Sequence, residues 1–147
     1  MSELKRILLA EDSAADAELT LEALGEYNLA NRVDLVRDGT EVLDYLYRRG
    51  RHAERANGLP IVLFLDLKMP KMDGLEVLRT LKADSALRML PVVMLTSSRE
   101  ESDLVERYRL GVNAYVVKPV DFGQFSDAIR KLGMFWALLN QPPPDAP

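Results

Sequence analysis

The stretch Ile61-Val62-Leu63-Phe64-Leu65-Asp66-Leu67-Lys68-Met69-Pro70 decides the fold. Its first five residues are apolar without a break, too few for a helix and with no polar face, so they read as a strand buried on both sides. Strands of that kind belong to parallel sheets covered by helices. Similar runs recur at Ile7–Ala10, residues 92–95 and residues 115–117, with a weaker one at Val33-Asp34-Leu35-Val36. Leu59-Pro60 and Leu90-Pro91 precede two of them and bar a helix from running into the strand.

Between the runs, apolar residues take helical spacing. Leu19, Leu21 and Leu24 follow Ser13, which reads as a helix cap, and Asn28 and Asn31 mark the exit. Val42, Leu43 and Leu46 follow Asp38-Gly39-Thr40; Leu75, Leu78 and Leu81 follow Asp73-Gly74; Leu104, Val105 and Tyr108 follow Ser102. After Asp121, the residues Phe122, Phe125, Ile129, Leu132, Trp136 and Leu139 fall on one stripe. Five β-α units in succession predict an α/β fold: a doubly wound five-stranded parallel sheet in a three-layer sandwich, with right-handed crossovers.

Composition bounds the rest. The chain has 147 residues, with 19 Lys plus Arg against 23 Asp plus Glu and a net charge of -4. Apolar residues make up 48% and charged residues 29%, ordinary for one globular domain and unlike a disordered chain. The absence of cysteine excludes disulfide frameworks, thiolate metal sites and cysteine nucleophiles, and suits a cytoplasmic protein. The apolar run near the start is too short for a signal peptide or a membrane span, and the mild acidity speaks against sequence-independent nucleic-acid binding. The expectation is therefore a single domain over residues 1–147, with a core over residues 5–139 and a proline-rich tail at 140–147. It has no membrane or nucleic-acid partner and no output domain.

In a doubly wound sheet the working residues lie beyond the carboxyl ends of the strands. Those ends carry Glu11-Asp12, Asp66, Thr96-Ser97-Ser98 and Lys118-Pro119. With strand order 2-1-3-4-5, three carboxylates, a hydroxyl and an ammonium share one edge. Carboxylates held together must protonate or take up a cation. An all-oxygen donor set with few protein ligands suits Mg²⁺. A carboxylate beside Mg²⁺ can attack a phosphoryl group and become an aspartyl phosphate, with Lys118 and Thr96 stabilising the charge on the transferred oxygens.

At these residues the chain resembles the receiver domain of two-component response regulators. The resemblance rests on Glu11-Asp12, on Asp66 through Pro70 with Asp73-Gly74, on Thr96, and on Gly111 through Tyr115 to Lys118-Pro119. It implies a flavodoxin-like fold and a phosphoacceptor that assists its own phosphorylation and dephosphorylation rather than an enzyme. Asp66 is the implied phosphoacceptor. Asp12 and Asp66 are the implied direct Mg²⁺ ligands, with Glu11 acting through water and the Lys68 carbonyl as a further ligand. Lys118 pairs with the phosphate through a chain that is cis at Pro119, Thr96 and Tyr115 form the switch, and Gly74 permits an otherwise strained loop. Ser97 departs from the alanine or glycine usual there, and Lys68 and Ser98 occupy positions that vary and tune phosphate lifetime. The implied partner is a sensor histidine kinase. Residues 48–59 and Met134-Phe135-Trp136 look like single-domain regulators paired with bacterial phytochrome kinases, which would make the stimulus light.

Met134 and Leu138 fall largely off the stripe of the last helix and Phe135 lies at its margin, which widens its apolar face; with Tyr108 they are the candidate contacts of a homodimer through the fourth helix, fifth strand and fifth helix, the region the resemblance implies. His52, in the basic run at residues 48–55, reads as an exposed loop histidine among solvated arginines. Three other readings stand beside the phosphoacceptor. A haloacid-dehalogenase-type phosphatase would want an aspartate where Lys68 stands. A flavodoxin-like cofactor binder would want a phosphate loop where Glu11-Asp12 repel an anion. A receiver-shaped binding module would never be phosphorylated.

Overall fold

The computed structural model describes residues 6–55 and 58–133. Five strands, β1 (Ile7–Ala10), β2 (Val33–Val36), β3 (Val62–Asp66), β4 (Val92–Thr96) and β5 (Ala114–Val117), form one parallel sheet in the order β2-β1-β3-β4-β5. Helices α1 (Ala14–Gly25), α2 (Gly39–Tyr47), α3 (Gly74–Ala83), α4 (Arg99–Glu106) and α5 (Phe122–Leu132) alternate with them. This is the flavodoxin-like sandwich expected from the sequence.

Alternation along the strands divides the core into two layers. Leu8, Ala10, Leu63, Leu65, Val92 and Met94 point to one face, where Val42, Leu46, Val77, Leu78, Leu81 and Val105 of α2, α3 and α4 cover them. Ile7, Leu9, Val62, Phe64, Val93 and Leu95 point to the other, against Ala23 and Leu24 of α1 and Phe125, Ala128 and Ile129 of α5. Strands β1, β3 and β4 are buried along their full lengths, which is why their sequences show no polar face.

Local chemistry sets the helix starts. Ser13, Asp38, Asp73 and Asp121 each accept a hydrogen bond from the backbone N–H three residues on. The fourth helix differs from the sequence expectation. Its cap is Ser98, four residues ahead of Ser102: the Ser98 hydroxyl accepts from Glu101 N–H, and the Glu101 carboxylate reaches back to Ser97 N–H at 2.8 Å. This pair of bonds resembles a capping box shifted by one residue on the carboxylate side, and it starts the helix at Arg99. Its expected apolar face also shrinks. Only Val105 of the trio is buried, while Leu104 is 51% and Tyr108 47% exposed.

The helix ends follow local chemistry too. The first helix closes at Gly25, ahead of Asn28, which takes a left-handed φ of 59°, and Asn31 lies in a short 3₁₀ turn at Ala30–Arg32. The last described helix ends at Leu132, with Gly133 as its cap at φ 67°, and carries Phe122, Phe125, Ile129 and Leu132 of the expected stripe. Trp136, Leu139 and the dimer candidates Met134, Phe135 and Leu138 lie outside the described residues, as does the tail. Among the described residues, no helix is long and apolar enough to cross a membrane.

Candidate functional site

Strand register aligns the chemistry. Leu65 pairs with Ala10 and Met94, and Asp66 with Leu95, so Asp66 ends β3 level with the Glu11-Asp12 turn that follows β1. Glu11 is tied to β2 by its N–H to Val36 O at 3.0 Å. The Lys118 N–H bonds to Thr96 O at 2.7 Å, which joins the ends of β4 and β5. The Lys118-Pro119 peptide is cis, as the resemblance implies. Below Asp66, the helix α3 approaches its carbonyl so closely that a Cβ on Gly74 would overlap Asp66 O and sit 2.9 Å from Leu67 Cα. Gly74 is therefore required for close approach, not for a strained backbone, since its φ is not positive.

One carboxylate oxygen from each of Glu11, Asp12 and Asp66 lies within 4.8 Å of the others. Glu11 and Asp66 are buried and Asp12 is open to solvent. Lys118 Nζ reaches Glu11 Oε2 at 3.2 Å, Asp66 Oδ1 at 3.2 Å and Asp16 Oδ2 at 3.0 Å. Burial, and then the shared hydrogen bond and charge of Asp66, push the Glu11 carboxyl up to about 7. Burial also raises Asp66, against the pull of Lys118. Burial works against the Lys118 ammonium too, but the hydrogen bond to Asp16 and the charges of Asp66 and Glu11 outweigh it, and the group stays above its ordinary value. Two acids that resist ionisation, next to a third that faces water, form a site short of positive charge.

The other expected members also converge. The Lys68 N–H lies 3.4 Å from Asp66 Oδ1, so its backbone borders the acidic group, while its side chain turns away to Glu101 at 2.9 Å. Thr96 is fully buried at the end of β4, and its hydroxyl shares a hydrogen bond of 2.7 Å with Ser102 of α4. Tyr115 and Ser102 line one groove between α4 and α5, and burial pushes the Tyr115 phenol up to about 12. Tyr108 stands just past α4 under the Arg79 guanidinium of α3, 4.9 Å from its ring centre.

Sequence reasoning missed Asp16 and Ser102. Each sits in the first turn of a helix that leaves a site-bearing strand, four residues after Asp12 and Ser98 respectively, and that spacing was the available signal. His52 is also corrected. It is not exposed, because its Nε2 lies 3.0 Å from Glu41 and its ring meets Tyr45 edge-on, pinning the 3₁₀ turn Gly50–His52 to α2.

Residues 7–130 match the response regulator receiver domain. The chain is 61% identical to the bacteriophytochrome response regulator AtBRR, covering 95% of this chain and all of that one, with a TM-score of 0.88. It is 59% identical to the bacteriophytochrome response regulator RtBRR over 97% of this chain and 86% of that one, again with a TM-score of 0.88. Among curated relatives it is 37% identical to the probable methanogenesis regulatory protein FilR2 of Methanothrix harundinacea, over 93% of this chain and 86% of the relative. The response regulator Rcp1 of Synechocystis is 35% identical, over 90% and 88%. A Mn(2+)-bound form of Rcp1 has a TM-score of 0.73 at 34% identity, covering 96% of this chain and 99% of that one. The phosphorylated cyanobacterial phytochrome response regulator RcpA also has a TM-score of 0.73, at 37% identity, covering 97% of this chain and all of that one. The chain belongs to the response regulator receiver domain family, and the regulators of phytochrome signalling are among its close structural relatives.

Proposed function

We propose that this chain takes a phosphoryl group from the phosphohistidine of a sensor histidine kinase onto Asp66, with Mg²⁺ as the cation of the acidic cluster. One observation carries the proposal: carboxylates from two strand ends gather within 4.8 Å while the Lys118 ammonium stands 3.2 Å from Asp66. The donor set fits a hard divalent ion, being all oxygen and deficient in positive charge. Asp12 and Asp66 would hold it directly, Glu11 through water, and Lys68 through its carbonyl. When bound, Mg²⁺ supplies the charge that lets these acids ionise together and that offsets the charge on the phosphoryl oxygens.

Asp66 attacks phosphorus as a carboxylate. The P–N bond to the imidazole breaks, and its electron pair stays on the ring nitrogen. Lys118 balances charge on the transferred oxygens. Either hydroxyl can be the donor between Thr96 and Ser102; where Thr96 donates, turning to a phosphoryl oxygen gives up Ser102 and releases a tie between the site and α4. Tyr115, in the same groove, is placed to follow. The signal leaves as this change of surface, and the protein acts as a phosphoacceptor rather than an enzyme on other substrates.

The names of the bacteriophytochrome regulators support a phytochrome-type kinase as donor, and the cysteine-free composition supports a cytoplasmic protein. A homodimer through α4, β5 and α5 has support from the exposure of Leu104 and Tyr108 beside that face. Sedimentation at tens of micromolar, with and without a phosphoryl donor, measures it.

The direct test incubates the protein with acetyl phosphate and Mg²⁺ and compares intact masses of the wild type and Asp66→Asn. A Mg²⁺-dependent phosphate adduct on the wild type alone is the expected result. No adduct on either leaves a receiver-shaped binding module.

A further inference from the structure

Asp16 has no part in the chemistry described so far, yet its Oδ2 is closer to Lys118 Nζ, at 3.0 Å, than Glu11 or Asp66 at 3.2 Å. Its backbone is held on both sides. The Asp16 N–H donates to the capping hydroxyl of Ser13 at 3.2 Å, and its carbonyl accepts from the Thr20 hydroxyl at 2.9 Å. Asp16 also lies outside the group of three carboxylates that converge for a cation.

An ammonium has three N–H donors, and here they face three carboxylates. Two of these, on Glu11 and Asp66, are the groups a divalent cation requires. Cation and ammonium therefore compete for the same oxygens, and like charges at such distances repel. Asp16 is the partner that Lys118 can keep when the other two are claimed.

We propose that Asp16 is a positioning residue: it retains Lys118 at the rim when a divalent cation claims Glu11 and Asp66, a role that rests on the acidic cluster being the Mg²⁺ and phosphoryl site proposed above. The cation then loads without driving the ammonium into solvent, and Lys118 stays within reach of a group on Asp66.

The test is a double-mutant cycle read by calorimetric Mg²⁺ titration on the wild type, Asp16→Asn, Lys118→Met and the double variant. Asp16→Asn should weaken Mg²⁺ binding about fivefold in the wild type and by less than about twofold beside Lys118→Met, since residues in contact are coupled energetically. Asp16→Glu should restore part of the loss, which also shows that the helix start tolerates substitution. In Mg²⁺-loaded protein, the Lys118 ¹⁵Nζ resonance should be visible in the wild type and lost to exchange in Asp16→Asn. Equal weakening in both backgrounds would reduce Asp16 to a nearby charge and overturn the role, as would no weakening at all. If the wild type itself takes up no Mg²⁺, the functional reading of the site falls, and this role with it.

Discussion

Two aspartates on neighbouring parts of one sheet live in opposite circumstances. Asp34, on the edge strand β2, receives the Arg6 guanidinium at 2.5 Å and the Tyr45 hydroxyl; burial opposes its charge, but these donors outweigh burial and hold its carboxyl below the usual range. Around it Arg55 lies 4.1 Å over the Tyr45 ring, and His52 and Arg51 both reach Glu41. Each acid there has a cation of its own. Asp66 shares a single ammonium with Glu11 and Asp16, and burial raises it instead. The first cluster is complete as built, and the second is completed only by an incoming cation. The difference separates a structural ion network from a site of chemistry better than burial or residue type does.

The contrast can be broken most strongly at Lys118. Lys118→Met leaves Glu11 and Asp66 face to face and should cost about 3 kcal/mol in metal-free protein, as breaking a buried ion pair does. Much of that loss should return with Mg²⁺, as read from urea unfolding with and without the ion. Acidity gives a second handle of comparable size. Between pH 4.5 and 7 the folded chain keeps a proton on Glu11 that the unfolded chain has shed. Metal-free stability should therefore fall as pH rises through that window, by up to about 1.4 kcal/mol per pH unit. Mg²⁺ requires the ionised acids, so the melting-temperature gain it gives should grow over the same window. A flat profile in both conditions would contradict the raised Glu11.

Asp34→Asn should cost about 1–2 kcal/mol, discounted because the pair is partly exposed, and the loss should be indifferent to Mg²⁺. The smallest effect sharpens the comparison most, because its sign is reversed. Asp66→Asn should raise metal-free stability by about 1 kcal/mol while removing most of the response to Mg²⁺. Equal destabilisation by the two substitutions in chemical melts would erase the distinction.

Most of the fold was legible because its signals are local. Unbroken apolar strands and side-chain caps at Ser13, Asp38, Asp73 and Asp121 act over a few residues, and the two-sided burial of β3 follows directly from its composition. The site was legible in so far as it lies on strand ends, whose register the topology fixes. What escaped depended on contacts between elements. Asp16 looks like any acid in a first helical turn until Lys118 arrives from β5. Ser102 was placed ahead of its helix, although the Ser-x-x-Glu spacing of Ser98 and Glu101 marks an earlier start, and its bond to Thr96 joins two elements that the sequence does not bring together. His52 looked exposed because its partners, Glu41 and Tyr45, lie on a helix one connection earlier. Gly74 was rightly singled out for the wrong reason, since its constraint is the Asp66 backbone and not its own φ.

The central claim is that Asp66 is the group that accepts phosphorus, and borohydride trapping reads it directly. Protein treated with a phosphodonor and Mg²⁺, reduced with borohydride and sequenced by tandem mass spectrometry should carry homoserine at position 66 and nowhere else, and only when Mg²⁺ was present. Homoserine at position 12 or 16, or at no position under conditions that preserve acyl phosphates, would contradict the account.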